Sequence, residues 1–174
     1  NTALAGEIAD GWLPFLVSPE HIDTITEPLR EGLERSGRSI SDIDIAPTVN
    51  VNITDDLELA RNTMRPFLAL YIGGMGSRQK NFYLNQVSRY GFEAEARRVP
   101  DLYLAGKYEE AGAALPDELI DLVTLCGPAD RVRDRLRAFK EAGVGTLGIS
   151  PMALTKEERI FQLREVARLV EEIS

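Results

Sequence analysis

The chain has 174 residues, 44% hydrophobic and 28% charged, which is enough apolar content for one folded domain and too much for a disordered segment. Its 28 acidic and 20 basic residues leave a net charge of −8, which argues against phosphate-backbone and anionic-membrane partners. One cysteine, Cys126, excludes an internal disulfide and a thiolate zinc site, and one histidine, His21, excludes a multi-histidine metal site.

Residues 2–9 read as a helix already under way, with Leu4 and Ile8 one turn apart. There is no initiating Met, so the expectation is a piece of something longer. Gly11 suits a left-handed helix end. Residues 12–17 form an unbroken apolar run, the pattern of a strand covered on both faces. Ser18-Pro19-Glu20 supplies an N-cap, a first-turn proline and a first-turn acid, and places His21 at the surface. Ile22, Ile25, Leu29 and Leu33 make one helical stripe, with a kink expected at Pro28 and a stop at Gly37.

A second strand is expected over 43–53, where Val49, Val51 and Ile53 alternate with Thr48, Asn50 and Asn52. Residues 54–127 stay helical, in pieces punctuated by glycine and proline. The helix after Gly127-Pro128 carries Val132, Leu136 and Phe139. Residues 144–150 are the third strand. Thr155 and Glu158 then form a capping box for a last helix expected to bury Ile160, Leu163, Ala167 and Val170. No apolar run approaches the ~18 residues of a membrane span, and the expected setting is cytoplasmic.

The repeated order of helix, glycine, strand, proline and capped helix belongs to the α/β class with right-handed crossovers. The three strands are expected parallel and adjacent in chain order. They are too few to close a sheet with two covered faces, and a (β/α)8 barrel takes ~250 residues. The arithmetic therefore points to part of a barrel, a single partial domain over 1–174 with a helical insertion at 54–127.

Four segments carry a resemblance. They are Leu4-Ala5-Gly6-Glu7-Ile8-Ala9-Asp10-Gly11-Trp12-Leu13, then Arg65-Pro66-Phe67 through Gly74-Met75-Gly76, then Asn81-Phe82-Tyr83 with Arg89-Tyr90-Gly91-Phe92, and finally Gly127-Pro128-Ala129-Asp130 through Ser150-Pro151. In this order they resemble the luciferase-like monooxygenase family, in its branch of oxidoreductases that use the deazaflavin coenzyme F420. The resemblance implies the C-terminal half of a TIM barrel, with its sixth to eighth strands at 12–17, 43–53 and 144–150. It implies hydride transfer between deazaflavin and an organic substrate, with FMN-dependent monooxygenation as the alternative. It also places a phosphate-holding turn just before Asn1. The isolated chain is then expected to be inactive and to bind cofactor weakly.

Candidate residues follow from these placements. Asn1 and Thr2 open a helix whose free N–H groups suit a cofactor phosphate, or they are a frayed terminus. Trp12 and Phe15 lie toward the end of a barrel strand, Trp12 suited to the flat cofactor ring and Phe15 to substrate, or both to core packing. Asn52, and less so Asn50, project an amide inward that needs a partner, either substrate or a structural network. Ser150 ends the last strand and suits a cofactor hydrogen bond or a strand-stopping turn. Gly73-Gly74-Met75-Gly76 lacks the Lys-Ser/Thr ending of a phosphate loop and reads as a helix end and hinge, with Arg78 and Lys80 beyond it. Cys126 reads as a small buried apolar residue. No catalytic residue emerges, and no metal site. The expected partners are a small-molecule substrate and either a second copy or the missing half, which would cover the open sheet. A non-catalytic fragment that oligomerises through that sheet is the reading from another class.

Overall fold

The structure, a computed structural model, describes residues 1–76 and 81–173. Helix α1 (Thr2–Ile8) crosses α2 (Ile22–Arg35) backbone to backbone. A Cβ on Gly32 would lie 1.8 Å from the Ala3 carbonyl oxygen, and one on Gly6 2.3 Å from that of Leu29. Only glycine fits at either position. On α2, Ile25, Leu29 and Leu33 are buried as the stripe requires, and the helix runs on through Pro28. Ala9, in extended conformation, ends α1. Gly11 is therefore not left-handed as expected; it already belongs to strand β1 (Gly11–Trp12).

The strands all pair in parallel. β1 pairs β2 (Asp44–Ile45), and β3 (Thr48–Ile53) lies between β4 (Leu125–Gly127) and β5 (Gly148–Pro151). The N–H groups of Asp44, Ala46 and Thr48 donate to the carbonyls of Asp10, Trp12 and Pro14, so one ladder runs on past β1. An isolated bridge joins Phe15 to Thr48. Thr48 also pairs Gly148, and Val51 pairs both Leu125 and Pro151. The first strand and β4 thus share one edge of β3, and β5 takes the other. The expected order of the three strands holds, and all are parallel.

The strands are shorter than expected, for local reasons. The first stops at Leu16, whose φ of 55° turns the chain out of the sheet. The second divides around Pro47, which has no N–H to donate. The third begins at Gly148 rather than at 144. One strand, β4, lies where a helix was expected to run to Gly127; only three residues long, it offers no period to read.

The described residues between β3 and β4 are mostly helical: α3 (Leu57–Ala69), a π-helical turn at Leu70–Gly74, α4 (Phe82–Val87), a turn kinked at Gly91 over Ser88–Phe92, then α5 (Glu93–Ala96), α6 (Arg98–Leu104), α7 (Tyr108–Ala113) and α8 (Asp117–Val123). Gly73 and Gly74 let Tyr103 approach; a Cβ on either would sit 2.7 or 2.6 Å from that side chain. Arg61 on α3 ties down α8 through Asp117 at 2.9 Å and Asp121 at 2.6 Å. Asp121 also pairs Arg131 of α9 (Ala129–Glu141) at 2.6 Å.

The last helix, α10 (Lys156–Ile173), opens with the expected capping box: Thr155 N–H donates to Glu158 Oε2 at 3.1 Å, and Glu158 N–H to Thr155 Oγ1 at 3.2 Å. Its buried face is not the expected one. Gln162, Val166 and Leu169 face the core, whereas Ile160, Leu163, Ala167 and Val170 are exposed. The helix carries two neighbouring apolar stripes, and the sheet covers only one of them.

Candidate functional site

Segments far apart in the chain meet where the first strand ends. The Phe15 ring lies 4.6 Å from Tyr71, 5.5 Å from Phe67 and 6.0 Å from Tyr83, centroid to centroid, in tilted and edge-on contacts. Burial pushes the Tyr83 phenol above its usual pKa, and neighbouring Tyr71 adds to the shift. Gln86 holds the turn at Leu16. Its amide nitrogen reaches the carbonyls of Phe15 at 2.9 Å and Leu16 at 2.8 Å, and the Tyr90 hydroxyl at 2.9 Å. That hydroxyl donates to the Leu16 carbonyl at 3.0 Å, and burial raises its pKa. The strained backbone at Leu16 is fixed from the helical stretch.

A cavity of about 340 Å³ opens beside this cluster, with Thr2, Trp12, Phe15, Tyr83, Gln86 and Arg89 among its walls. The fold thus brings three of the expected residues, Thr2, Trp12 and Phe15, to one place. Asn1 is exposed and makes no side-chain capping bond. Ser150 is half-buried in β5, in register with Asn50 and apart from this cavity. Asn52 lines a separate cleft at the C-terminal ends of β3 and β5, beside Met152 and Gln162.

The amides of β3 have unlike surroundings. Gln162 accepts from the Ile53 N–H at 2.6 Å and donates to the Ile53 carbonyl at 3.1 Å, continuing the ladder where β5 has ended. The same Gln162 nitrogen reaches Asn52 Oδ1 at 3.5 Å. Asn50 is 2% exposed, and neither polar atom of its amide has a hydrogen-bond partner among the described residues. Register places Asn50 and Asn52 on one face of the sheet with Ser150 and Cys126.

His21 is half-buried rather than at the surface, its ring 4.8 Å from Tyr90 and its Nδ1 3.0 Å from Ser18 Oγ. Ser18 is fully buried and does not cap the helix backbone; its hydroxyl donates to Glu20 at 2.8 Å. Partial burial would raise the Glu20 pKa, but hydrogen bonds from Arg135 and Ser18 prevail and lower it. Cys126 is buried, which pushes its thiol up. Arg78 and Lys80 lie outside the described residues. Among the described residues no group of three or more His, Cys, Asp or Glu is placed to hold a metal, and no helix is long and apolar enough to cross a membrane.

Sequence reading did not single out Tyr71, Tyr83, Gln86 or Arg89 as site residues. Each meets Phe15, Leu16 or their cavity across more than fifty residues, and periodicity within a helix carries no signal of that distance.

Comparison with known proteins agrees with the architecture. The chain is 39% identical over 172 residues to the Mycobacterium tuberculosis protein named "Putative coenzyme F420-dependent oxidoreductase", covering 98% of this chain and 48% of that one. It is 27% identical over 158 residues to 5,10-methylenetetrahydromethanopterin reductase of Methanopyrus kandleri, covering 90% and 43%. The solved coenzyme F420-dependent tetrahydromethanopterin reductase from Methanopyrus kandleri superposes with a TM-score of 0.77 at 20% identity, over 99% of this chain and 48% of that one. The chain therefore spans about half the length of these relatives. The family model for luciferase-like monooxygenases matches residues 1–146, and the chain belongs to that family.

Proposed function

We propose that this chain forms part of the barrel of an F420-dependent oxidoreductase, in which hydride passes between the deazaflavin and an organic substrate. The observation that carries the reading is the convergence of Thr2, Trp12 and Phe15 on one aromatic-walled cavity in a chain of this family. The relatives named as F420-dependent support it. The walls fit a flat ring: Trp12, Phe15 and Tyr83 offer apolar faces, and about 340 Å³ is within the size range of small-molecule sites. When bound, F420 supplies the hydride-carrying carbon. The chain's own residues would bind and orient it: Trp12 and Tyr83 would flank the ring, Phe15 would set the floor through its contacts with Tyr71 and Phe67, and the cluster would keep water from that side. Asn52 and Ser150, at the ends of β3 and β5, would come into play in the closed barrel.

Partner association belongs to the same reading. β5 has a ladder on one side only, and beside it an apolar groove of about 470 Å³ is lined by Leu147, Ile149, Val166 and Val170. With the exposed stripe of α10, this surface suits the polypeptide that completes the sheet, or a second copy.

The test compares F420 and FMN, by fluorescence titration, on the native polypeptide and on the 174-residue chain alone. Mass spectrometry sets the native length. On this reading the native polypeptide should be about twice as long and bind F420 in preference to FMN, and the chain alone should bind neither at micromolar concentration. Preference for FMN would move the reading to flavin-dependent monooxygenation. A native length near 174 residues with no binding would support the oligomerising fragment.

A further inference from the structure

We infer that Arg89 sets the charge of the organic ligand in this cavity, selecting a flat ring that bears an anionic group. The inference rests on the cavity being a binding site, and not on the redox chemistry proposed for it.

The cavity has two unlike walls. One is aromatic, made by Trp12 and Phe15 from the first strand and by Phe82 and Tyr83 from α4. The other is polar and comes from the end of α4 and the turn after it, where Asn85, Gln86 and Arg89 follow in sequence. Arg89 is exposed and forms no hydrogen bond or ion pair with a described residue. In a chain of net charge −8, where Arg61, Arg65, Arg131, Arg133, Arg135 and Arg168 all pair with carboxylates, Arg89 lines the cavity without such a pair among the described residues.

Its position is built by the backbone. Arg89 lies in the turn Ser88–Phe92, which kinks at Gly91, where φ of 98° is a conformation that favours glycine. The same turn presents Tyr90, locked to Gln86 and to the Leu16 carbonyl, so the segment bearing Arg89 is anchored to the floor of the cavity. A planar five-donor guanidinium in the wall of a cavity lined by aromatic rings matches a carboxylate or phosphate attached to a ring lying inside.

The experiment measures, by equilibrium dialysis, the binding of 2-naphthoate, 2-naphthyl phosphate and the neutral isostere 2-naphthamide to the native polypeptide. Both anions should bind about five- to tenfold more tightly than the amide, the order expected for one partly exposed charged contact. Arg89→Gln should abolish that preference while leaving amide binding unchanged, and Arg89→Lys should retain part of it. Far-UV circular dichroism checks that the variants keep the fold, which an exposed side chain should not disturb. Equal binding of the three probes, or a preference that survives Arg89→Gln, would overturn the inference. Titrating F420 into the native polypeptide and its Arg89→Gln variant separates the two sources of the anion. Unchanged F420 affinity assigns the contact to the substrate, and weakened affinity assigns it to the cofactor's phosphate. Loss of F420 binding by the unmutated protein, with the naphthoate preference intact, would strike down the proposed function and leave this inference standing.

Discussion

Helices α9 and α10 pack side by side and treat their apolar residues in opposite ways. α9 has one stripe, Val132, Leu136 and Phe139, and all of it is buried. α10 has two, of which only the one through Val166 and Leu169 is covered. Along the other stripe, Ile160 is 39% exposed, Leu163 45% and Val170 41%. A helix at the edge of a self-contained domain ends its apolar face where the neighbours end. α10 carries more apolar surface than this chain can cover, and the surplus lies beside the open edge of β5.

That contrast can be broken by substitution. Phe139→Ala, on the fully covered helix, should cost about 3–5 kcal/mol in urea unfolding, as a large buried ring leaves a cavity behind it. A cost below ~1 kcal/mol would show that α9 is not seated as described. Gln162→Leu tests the covered face of α10. It removes both contacts to Ile53 and leaves a buried N–H without a partner, for about 1–3 kcal/mol. An unchanged midpoint would mean that water replaces the amide.

A smaller effect links α9 to the turn before α2 through Glu20 and Arg135. The Glu20 pKa is lowered in the folded state, so this pair's contribution is complete above the ordinary value of 4.5 and disappears as pH falls through the lowered one. The Glu20 side chain is 44% exposed, which limits the effect to at most ~1 kcal/mol. The unfolding free energy should therefore fall less steeply below pH 4.5 in Glu20→Gln than in the parent, as urea unfolding measured against pH would show. The smallest effect is expected at Leu163→Gln on the open stripe, within about 0.5 kcal/mol for the chain alone. A cost of 2 kcal/mol or more would mean that the stripe is covered in solution, and light scattering would then show by how many copies.

The helices and their order were legible because each carries a 3.6-residue stripe, a cap or a glycine stop. The parallel strands at 43–53 and 144–150 were legible from alternation and crossover logic, though not their limits, which Pro47 and the late start at Gly148 decide. β4 gave no period to read. The α10 stripe misled for a physical reason: apolar spacing tells which side of a helix avoids water, not whether the partner for that side is in the chain. At the site, residue type near a strand end picked out Trp12 and Phe15. Tyr83, Gln86 and Arg89 belong to the cavity only because the helical stretch folds back over Leu16, and that depends on long-range packing.

Cys126 has a consequence of a different kind. It is the chain's single thiol, 2% exposed on β4, with its pKa raised by burial. Only the thiolate attacks a labelling reagent, so the native state withholds both access and reactivity. Labelling then proceeds only during the brief intervals when β4 separates from β3, and its rate counts those events. The sheet thus carries its own clock for local opening, readable by mass spectrometry without introducing any probe.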